Sequence, residues 1–349
     1  MRLLISGGGT GGHLMPALAV AQAFRAEHPE SELLMVGKAG GPEEDLVPAA
    51  GLALETVPIR GLDRDAAWKN LALPAVVPLA MRRGLRIVDR FRPQVVLGMG
   101  GYAMAPAVWA ARRRGIPYVL HEKDVRPGLA TRLFAKGAAV VCTTLPGTEA
   151  RLAPNVKTEL TGIPLRAGFA RRKPAAPARV LLVTGGSQGA RRLNQAVWEA
   201  LPDLLRRFET VIHVAGRQGA VEAERLSAQY GSYRGLAFTN AMPALMAQGD
   251  LVVSRAGVGT IGEVTAVGLP MILVPGTFGG AHQELNAEAV AEAGAAVTVP
   301  DAEFTGARLV AEIDALDAER LRTMGAASSK LGRPDADRRV VRVLERVAG

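Results

Sequence analysis

The stretch that decides the fold reads Leu3-Leu4-Ile5-Ser6-Gly7-Gly8-Gly9-Thr10-Gly11-Gly12-His13. Its apolar start is typical of a short buried strand, and its glycines form a turn. A helix is predicted to open at about Gly12, because apolar residues follow at helical spacing. These residues are Leu14, Ala17, Leu18, Ala21 and Phe24. A turn without Cβ atoms lets a ligand reach the backbone, and the N–H groups at the start of a helix attract anions.

Apolar runs alternate with helical patterns along the chain, which predicts repeated strand–helix units. Candidate strands cover residues 2–6, 32–36, 54–58, 94–98, 117–121, 138–142, 157–160, 179–184, 210–214, 235–238, 250–253, 271–274 and 295–299. Several, such as 180–183, lack polar alternation, as expected for parallel strands that helices cover on both faces. The sequence therefore predicts an α/β protein with two Rossmann-like, doubly wound parallel-sheet domains, and the length of 349 residues agrees with two domains.

The glycine turn recurs as Thr184-Gly185-Gly186-Ser187-Gln188-Gly189-Ala190, again between a strand and a helix. A segment rich in Pro and Arg, 163–178, separates the two halves and is typical of a linker. We therefore expect an N-terminal domain at 1–162 and a C-terminal domain at 179–335. A last helix is predicted at 336–349, and its packing back on the first domain stays open. Because ligands of open α/β sheets bind outside the carboxyl ends of the strands, the two turns are expected to face one cleft.

The composition is compatible with an anionic partner. Lys and Arg number 42 against 33 Asp and Glu, which gives a net charge of +9 and favours a phosphorylated substrate or an anionic lipid surface. Nucleic acid is not expected, because the chain has no nucleic-acid-binding pattern. The single cysteine, Cys142, is predicted to be a buried strand residue. No signal peptide, spanning segment or metal-ligand spacing is recognised, so no metal cofactor is expected.

The spacing of Gly7, Gly9 and Gly12 fits the Gly-x-Gly-x-x-Gly pattern of dinucleotide-binding folds. That pattern also needs an acidic residue at the end of the second strand, where it binds a ribose. Here the second strand ends in Met35-Val36-Gly37-Lys38, and no Gly-Lys-Ser/Thr follows either turn. The sequence therefore favours neither a nicotinamide cofactor nor a Walker-type nucleotide site.

A third glycine turn, Gly98–Tyr102, also follows a strand. One such turn is as often structural as functional, but three in one chain favour a ligand with phosphates. In the second half, Glu263 is predicted in the first turn of a helix, either as a carboxylate that stabilises the helix dipole or as a ribose contact. Gln283 is either an exposed helix residue or a sugar contact.

The segment 71–92 differs from the rest because an apolar run is followed closely by arginines. It has two interpretations. It is either a core helix broken by proline with a basic solvent face, or an apolar patch ringed by arginines that rests on an anionic membrane.

Together these residues resemble the MurG-type glycosyltransferases over nearly the whole chain. The motifs, in family order, are Gly8-Gly9-Thr10-Gly11-Gly12-His13 with Pro16-Ala17-Leu18-Ala19, Gly100-Gly101-Tyr102, His121-Glu122, Gly185-Gly186-Ser187-Gln188-Gly189-Ala190, Ser254-Arg255-Ala256-Gly257, and Gln283 with Asn286-Ala287. The resemblance implies a GT-B fold and a role in peptidoglycan synthesis as a peripheral protein at the cytoplasmic face of the cell membrane. It implies inverting transfer of GlcNAc from UDP-GlcNAc to the MurNAc 4-hydroxyl of undecaprenyl-diphospho-MurNAc-pentapeptide, the polyprenyl-linked acceptor.

The resemblance also implies residue roles. Expected contacts of UDP-GlcNAc are Thr10, Gly11, Gly12, Asp124, Arg166, Ser187, Thr239, Val258, Gly259, Thr260, Glu263 and Gln283. Expected contacts of the acceptor diphosphate are Gly8, Gly9, Gly100, Gly101 and Tyr102. The expected membrane patch is Leu73, Val76, Val77, Leu79, Arg82, Arg83 and Arg86. Among the donor contacts, the Thr239 backbone would bind the uracil and Glu263 the ribose.

The chain departs from the family pattern at two places. The string His121-Glu122-Lys123-Asp124 has Asp124 where the family usually has Asn, and Thr161-Gly162-Ile163-Pro164 has Ile163 where the family usually has Asn. The second string is similar to glycolipid transferases that act on diacylglycerol, which is the alternative function. A module without enzymatic activity that binds a UDP-sugar or nucleic acid is a third possibility.

A single displacement needs a base for the acceptor hydroxyl and stabilisation of the departing UDP. His13 is the first candidate for the base, since imidazole titrates near neutral pH, and Glu122 and Asp124 are its rivals. Helix N-termini, glycine-turn N–H groups and Arg166 are expected to stabilise the leaving diphosphate.

Overall fold

The computed structural model describes residues 1–61, 71, 73–186, 189–277 and 282–349. They form two compact units. Unit 1 contains Met1–Arg166 and Asp335–Gly349, and unit 2 contains Ala167–Pro334. Each unit has its own parallel sheet. The predicted strands are all present, and their ends shift by at most two residues.

Unit 1 has a seven-stranded sheet in the order β3-β2-β1-β4-β5-β6-β7. Its strands are β1 (Arg2–Ser6), β2 (Glu32–Lys38), β3 (Ala53–Val57), β4 (Val95–Gly98), β5 (Tyr118–Glu122), β6 (Val140–Thr143) and β7 (Thr158–Leu160). Its helices are α1 (Gly11–Glu27), α2 (Glu43–Ala49), α3 (Leu73–Phe91), α4 (Ala105–Arg113), α5 (Leu129–Phe134) and, from the end of the chain, α13 (Ala336–Ala348). In register, Ile5 of β1 lies between Met35 of β2 and Leu97 of β4.

Both faces of this sheet are buried, as the absence of polar alternation predicts. Leu3 and Ile5 face a core formed with α1 and α13, while Leu4 faces a core formed with α3, α4 and α5. The predicted apolar face of α1 is fully or nearly fully buried. Cys142 is buried in β6, as predicted, and burial raises the pKa of its thiol to about 12.

Helix α13 belongs to unit 1 although it comes last in the chain. It contacts α1 and the strands β4 and β5. Val340, Val341, Val343 and Leu344 are completely buried in the core that contains Phe24. The apolar side of α13 thus covers the part of this sheet face that α1 does not cover.

Unit 2 has a six-stranded sheet in the order β10-β9-β8-β11-β12-β13. Its strands are β8 (Val180–Thr184), β9 (Thr210–Val214), β10 (Tyr233–Leu236), β11 (Leu251–Ser254), β12 (Met271–Leu273) and β13 (Ala296–Thr298). Its helices are α6 (Arg191–Arg207), α7 (Ala220–Gln229), α8 (Met242–Met246), α9 (Val258–Val267), α10 (His282–Glu292), α11 (Gly306–Asp314) and α12 (Ala318–Leu331).

The segment before β8 is fixed to unit 2 by a buried carboxylate. Asp250 is 3% exposed and accepts N–H groups from Ala175, Arg179 and Val180 at 2.8–3.1 Å. It also accepts the Arg172 guanidinium at 2.6 Å. Four donors on one carboxylate hold much of the Pro- and Arg-rich segment against the sheet, so this part is not a free chain.

Two fully buried histidines stay uncharged in the fold. Burial lowers the pKa of His213 to about 3 and that of His121 to about 4. Both rings have partners. His213 lies 3.0 Å from the Tyr233 hydroxyl and 3.1 Å from Asn194 Oδ1, and His121 Nε2 donates to Gly162 O at 2.9 Å.

These histidines predict that the protein loses stability in mild acid. In the unfolded chain they take up protons below pH about 6.5, whereas in the fold they stay neutral down to pH about 4. The free energy of unfolding should therefore fall by about 1.4 kcal/mol per pH unit for each histidine as the pH drops from about 6.5 to 5. Urea unfolding of the wild type and of His213→Gln over this range checks it. The variant should show a shallower decline for unit 2, and equal slopes would contradict the prediction.

Candidate active site

The crevice of unit 1 lies where its strand order reverses. β1 is followed along the chain by β2 on one side, and β4 pairs with β1 on the other. The segments that leave β1, β4 and β5 therefore meet at one edge, the carboxyl edge of the sheet, where ligands of this fold bind. These segments carry the predicted residues Gly8, Gly9, Thr10, Gly11, Gly12, His13, Gly100, Gly101, Tyr102, Glu122 and Asp124.

His13 lies in the first turn of α1, and its imidazole packs on the turn after β4. A Cβ atom at Gly100 would lie 2.9 Å from His13 Cδ2, and one at Gly101 would lie 3.5 Å from His13 Nδ1. Both glycines have positive φ angles, of 85° and 70°. Glycine is needed here for backbone geometry and for space, because a side chain at Gly100 would displace the imidazole.

The His13 ring is oriented by the residue before α1. Its Nδ1 lies 3.0 Å from Thr10 Oγ1. When Nδ1–H donates to this hydroxyl, Nε2 keeps its lone pair and can accept a proton.

The electrostatic surroundings keep His13 neutral. Its pKa is lowered from 6.5 to about 4, mainly by burial and also by the positive charge of Lys123, while Asp124 acts in the opposite direction. A neutral imidazole at pH 7 has the protonation state of a base, although a low pKa makes it a weak one. Lys123 thus contributes to the weak basicity of His13, and burial is the larger cause.

The two rival carboxylates have different surroundings. Glu122 is 4% exposed, and it accepts the N–H groups of Asp124 at 3.1 Å and Gly128 at 3.0 Å. Burial raises its pKa, and these hydrogen bonds and one from Thr131 oppose that shift. Its contacts order the loop after β5. Asp124 is half-buried, and its carboxylate lies 3.4 Å from Lys123 Nζ.

A carboxylate that the sequence analysis did not select lies in the first glycine turn. Glu43, the first residue of α2, is completely buried and accepts the N–H of Gly9. The second strand indeed ends without an acid, as the sequence shows, but an acid from the next helix reaches the turn. Neither periodicity nor spacing indicates this contact, because it depends on how α2 packs on β2 and β3.

The corresponding edge of unit 2 contains a cavity of about 590 Å³. Its walls include Gly185 after β8, Arg255 after β11, Gly276 after β12 and Asp301 after β13. The strand order reverses between β8 and β11, so this cavity occupies the ligand position of a doubly wound sheet. Arg191 and Gln283 line it as well.

Arginines give this cavity its positive charge. The Arg255 guanidinium pairs with Asp301, and Arg192 Nε lies 3.7 Å from the same carboxylate. Arg191 is an exposed residue of the first turn of α6. The sequence analysis quoted Arg255 only within a motif and did not select Arg191 or Arg192.

The helix α9 begins at Val258, as expected, so Val258, Gly259 and Thr260 form its first turn. The prediction that Glu263 falls in the first turn was wrong, because the helix starts five residues earlier and Glu263 belongs to its second turn. No atom of the described residues lies within 4 Å of a Cβ at Gly257 or Gly259. A ligand can therefore approach this helix start closely.

The remaining predicted donor contacts are dispersed. Gln283 is half-buried in the first turn of α10, and its amide oxygen accepts the N–H of Gly276 at 2.8 Å, so its NH₂ group is the part that can donate to a sugar. Thr239 follows β10, and its hydroxyl accepts the N–H of Ala241 at 2.9 Å. Arg166 is the last residue of the first segment of unit 1. Ser187 lies outside the described residues.

The predicted membrane patch lies on α3. One side of this helix, with Ala80, Gly84, Ile87 and Val88, is buried. On the other side Leu79 is 53% exposed, and Leu73, Val76 and Val77 are half-buried. Arg82, Arg83 and Arg86 are exposed, and Arg83 lies 3.6 Å from Glu55. The helix therefore combines a core side with an exposed side that is apolar and basic.

The described residues contain neither a metal-binding cluster nor a membrane-spanning helix. Over the described ranges, no group of three or more His, Cys, Asp or Glu side chains is placed to hold a metal ion. Among the helices in the same ranges, none combines the length and apolar character that crossing a bilayer requires.

Sequence comparison defines the class of protein. Residues 3–143 match the N-terminal domain of glycosyltransferase family 28, and residues 180–340 match its C-terminal domain. The fold is GT-B. The structure of this chain is similar to the crystal structure of MurG from Acinetobacter baumannii, with a TM-score of 0.80 and 27% identity over 99% of both chains.

Two curated relatives are similar over their whole length. The protein from Desulforudis audaxviator is 39% identical over 100% of this chain and 99% of its own length, and that from Moorella thermoacetica is 40% identical over 99% and 98%. Both are named UDP-N-acetylglucosamine–N-acetylmuramyl-(pentapeptide) pyrophosphoryl-undecaprenol N-acetylglucosamine transferase. This chain belongs to glycosyltransferase family 28 and, within it, to the MurG-type transferases.

The relatives do not support the alternative of a diacylglycerol-type glycolipid transferase. The residue that suggested it, Ile163, is 4% exposed and therefore packs inside unit 1. Its side chain has little surface with which to select an acceptor.

Proposed function

We propose that this chain transfers N-acetylglucosamine from UDP-N-acetylglucosamine to the 4-hydroxyl of N-acetylmuramic acid in undecaprenyl-diphospho-MurNAc-pentapeptide. The anomeric carbon is inverted and UDP leaves. The observation that carries the proposal is the similarity of this chain, over its whole length, to transferases named for these substrates. The cavity of unit 2 and the histidine at the crevice of unit 1 support it.

Unit 2 binds the donor in this proposal. The first turn of α9 and the arginines of the cavity offer N–H groups and positive charge to a diphosphate. Glu263 binds the ribose hydroxyls, the Thr239 backbone binds the uracil, and the NH₂ group of Gln283 binds the sugar. Ser187 and Arg166 keep their predicted places on the diphosphate. These groups stabilise UDP as the bond from the anomeric carbon to phosphate breaks.

Unit 1 binds the acceptor. The N–H of Gly9 is already bonded to Glu43, so we place the acceptor diphosphate at the start of α1 and at Gly100, Gly101 and Tyr102 rather than on Gly8 and Gly9. Lys123 supplies positive charge there, because its Nζ lies 3.4 Å from the position of a Cβ at Gly12. The donor-sugar contacts predicted for Thr10, Gly11, Gly12 and Asp124 belong to the same edge.

His13 acts as the general base. The acceptor oxygen forms its bond to the anomeric carbon while its proton moves to His13 Nε2, and UDP leaves with the electron pair of the bond that breaks. In the required tautomer His13 Nδ1–H donates to Thr10 Oγ1, and Nε2 is free to accept the proton. Glu122 has its carboxylate bonded to backbone N–H groups, so we assign it the positioning of the loop that carries Asp124.

The transfer itself can be tested with purified protein, two donors and two acceptors. UDP release should require the lipid-linked MurNAc-pentapeptide and UDP-GlcNAc, and the product should carry one additional GlcNAc by mass spectrometry. UDP-glucose or diacylglycerol should support little turnover. Equal turnover with diacylglycerol, or UDP release without any acceptor, would contradict the proposed function.

His13→Ala should lower kcat by about 10²–10⁴-fold, because a general base contributes that factor. His28→Ala, which changes a histidine outside the crevice, is the matched control and should keep wild-type kcat. Because the pKa of His13 is lowered to about 4, the base stays unprotonated as the pH falls, and kcat/KM should remain level from pH 8 to about 5. Turnover of His13→Ala within about threefold of wild type would exclude His13 as the base.

We further propose that the protein works as a peripheral protein at the cytoplasmic membrane face and that α3 contacts anionic lipid. Helix α5 adds two exposed leucines, Leu129 and Leu133, with Arg132 between them. The triple variant Arg82→Glu, Arg83→Glu, Arg86→Glu should reduce binding to vesicles with anionic lipid by about 100-fold or more, since each basic residue near such a surface contributes about 1 kcal/mol. Cosedimentation measures this binding.

The matched control carries the same change of charge in unit 2: Arg234→Glu, Arg320→Glu and Arg322→Glu, all exposed in the wild type. It should bind vesicles nearly as the wild type does. If both variants lose binding equally, net charge and not the α3 patch attracts the protein to lipid.

A further inference from the structure

The buried Glu43 carboxylate accepts a backbone N–H of the first glycine turn, the kind of group that binds phosphate in nucleotide-binding turns. It reaches from the start of α2 into the turn that follows β1. One of its oxygens accepts the N–H of Gly9, and the other has no partner among the described residues. The side chain is 0% exposed, so the negative group has no direct access to solvent.

The space for this side chain is provided by glycines of two neighbouring segments. A Cβ at Gly37 would lie 2.7 Å from Glu43 Cγ, and Cβ atoms at Gly8 and Gly41 would overlap the carboxylate oxygens. Gly8 has a φ of 139°, which side chains rarely adopt. Several glycines near the first turn are therefore needed for an internal carboxylate rather than for a ligand.

The other side of the same turn contacts the residues that follow β4, on which His13 packs. A Cβ at Gly9 would lie 3.0 Å from the Tyr102 hydroxyl, and a Cβ at Gly101 would lie 3.2 Å from Gly8 O. Thr10 and His13 follow the turn directly. The position of Gly9 thus determines where α1 begins and where the pair of Thr10 and His13 lies.

A carboxylate bonded to a turn N–H makes the interaction that a phosphate makes in nucleotide-binding turns. A second anion at that N–H would have to displace the first and would meet its charge. This explains in physical terms why a turn with the Gly-x-Gly-x-x-Gly spacing does not serve as a nucleotide site here.

We propose that Glu43 is a positioning residue of the transfer reaction. It supplies an internal anion that fixes the turn Gly7–Gly9. This turn then places Thr10 and His13 at the acceptor hydroxyl. The inference rests on the proposed function for its kinetic part only. It adds a residue that contacts neither substrate and that acts through the backbone.

Glu43→Gln tests the proposal, because it keeps the size of the side chain and removes its charge. The amide oxygen is a weaker acceptor for the Gly9 N–H, so the turn and His13 should shift. We expect kcat to fall on the order of 10-fold to 100-fold, as for small misplacements of a catalytic group, with the dissociation constant of UDP, whose proposed contacts lie away from this turn, unchanged within twofold. Glu44→Gln, a change at the next and exposed residue of α2, is the control and should behave as the wild type.

A second measurement is independent of turnover. In ¹H–¹⁵N spectra of the imidazole rings, the His13 signals of Glu43→Gln should shift while the His28 signals stay in place. If Glu43→Gln does not fold, Glu43→Asp serves instead, since it keeps the charge but is too short to reach Gly9 and should give the same two effects. A wild-type His13 spectrum together with wild-type kcat would overturn the proposal, and so would an equal loss of UDP binding and kcat. A wild type inactive on the lipid-linked acceptor would refute the proposed function, while the His13 spectrum would still decide the role of Glu43.

Discussion

The reversal of strand order in each sheet is the constraint on which the rest of the structure depends. β1 lies between β2 and β4, and β8 lies between β9 and β11. Because right-handed crossovers then leave the central strand toward opposite faces, the segments beyond its carboxyl end separate and a crevice opens. Among the described residues, most groups with a proposed role in catalysis or donor binding lie in a turn, a helix start or a loop beyond such an edge. The buried strands form a rigid framework, and the segments beyond them carry the proposed catalytic and binding groups.

Glycines that let another group approach the backbone closely have two different roles in unit 1. At Gly100 and Gly101 the missing side chains make room for the His13 imidazole, and around Glu43 they make room for a carboxylate. In unit 2 the helix start at Gly257 and Gly259 remains open, so glycines there leave space for a ligand. Glycines thus make room for packed side chains in unit 1, whereas those at the start of α9 leave the helix start open to a ligand. This difference agrees with a donor diphosphate on unit 2.

Six motifs in order identified the family from the sequence, and the domain matches and full-length relatives confirmed it. The strands were also predictable, because each is a short apolar run with little polar alternation. Single residues were harder. Glu263 was placed one turn too early, because it is the sixth residue of α9 and the first turn holds only about 3.6 residues. Arg191, Arg192 and Lys123 carry no sequence signal beyond a positive charge, which 42 residues of the chain share.

The sequence by itself determined the class of fold, the two glycine turns, the family and the buried nature of Cys142, because these depend on local patterns and on motifs in a fixed order. Only the tertiary structure decided that α13 packs beside α1, that Asp250 fixes the segment before β8, and that Glu43 fills the turn quoted first. The physical reason is the same in each case. Glu43 and Gly9 are 34 positions apart, and Asp250 and Arg172 are 78 apart. A hydrogen bond between such residues exists only after the strands between them have paired and brought their ends together.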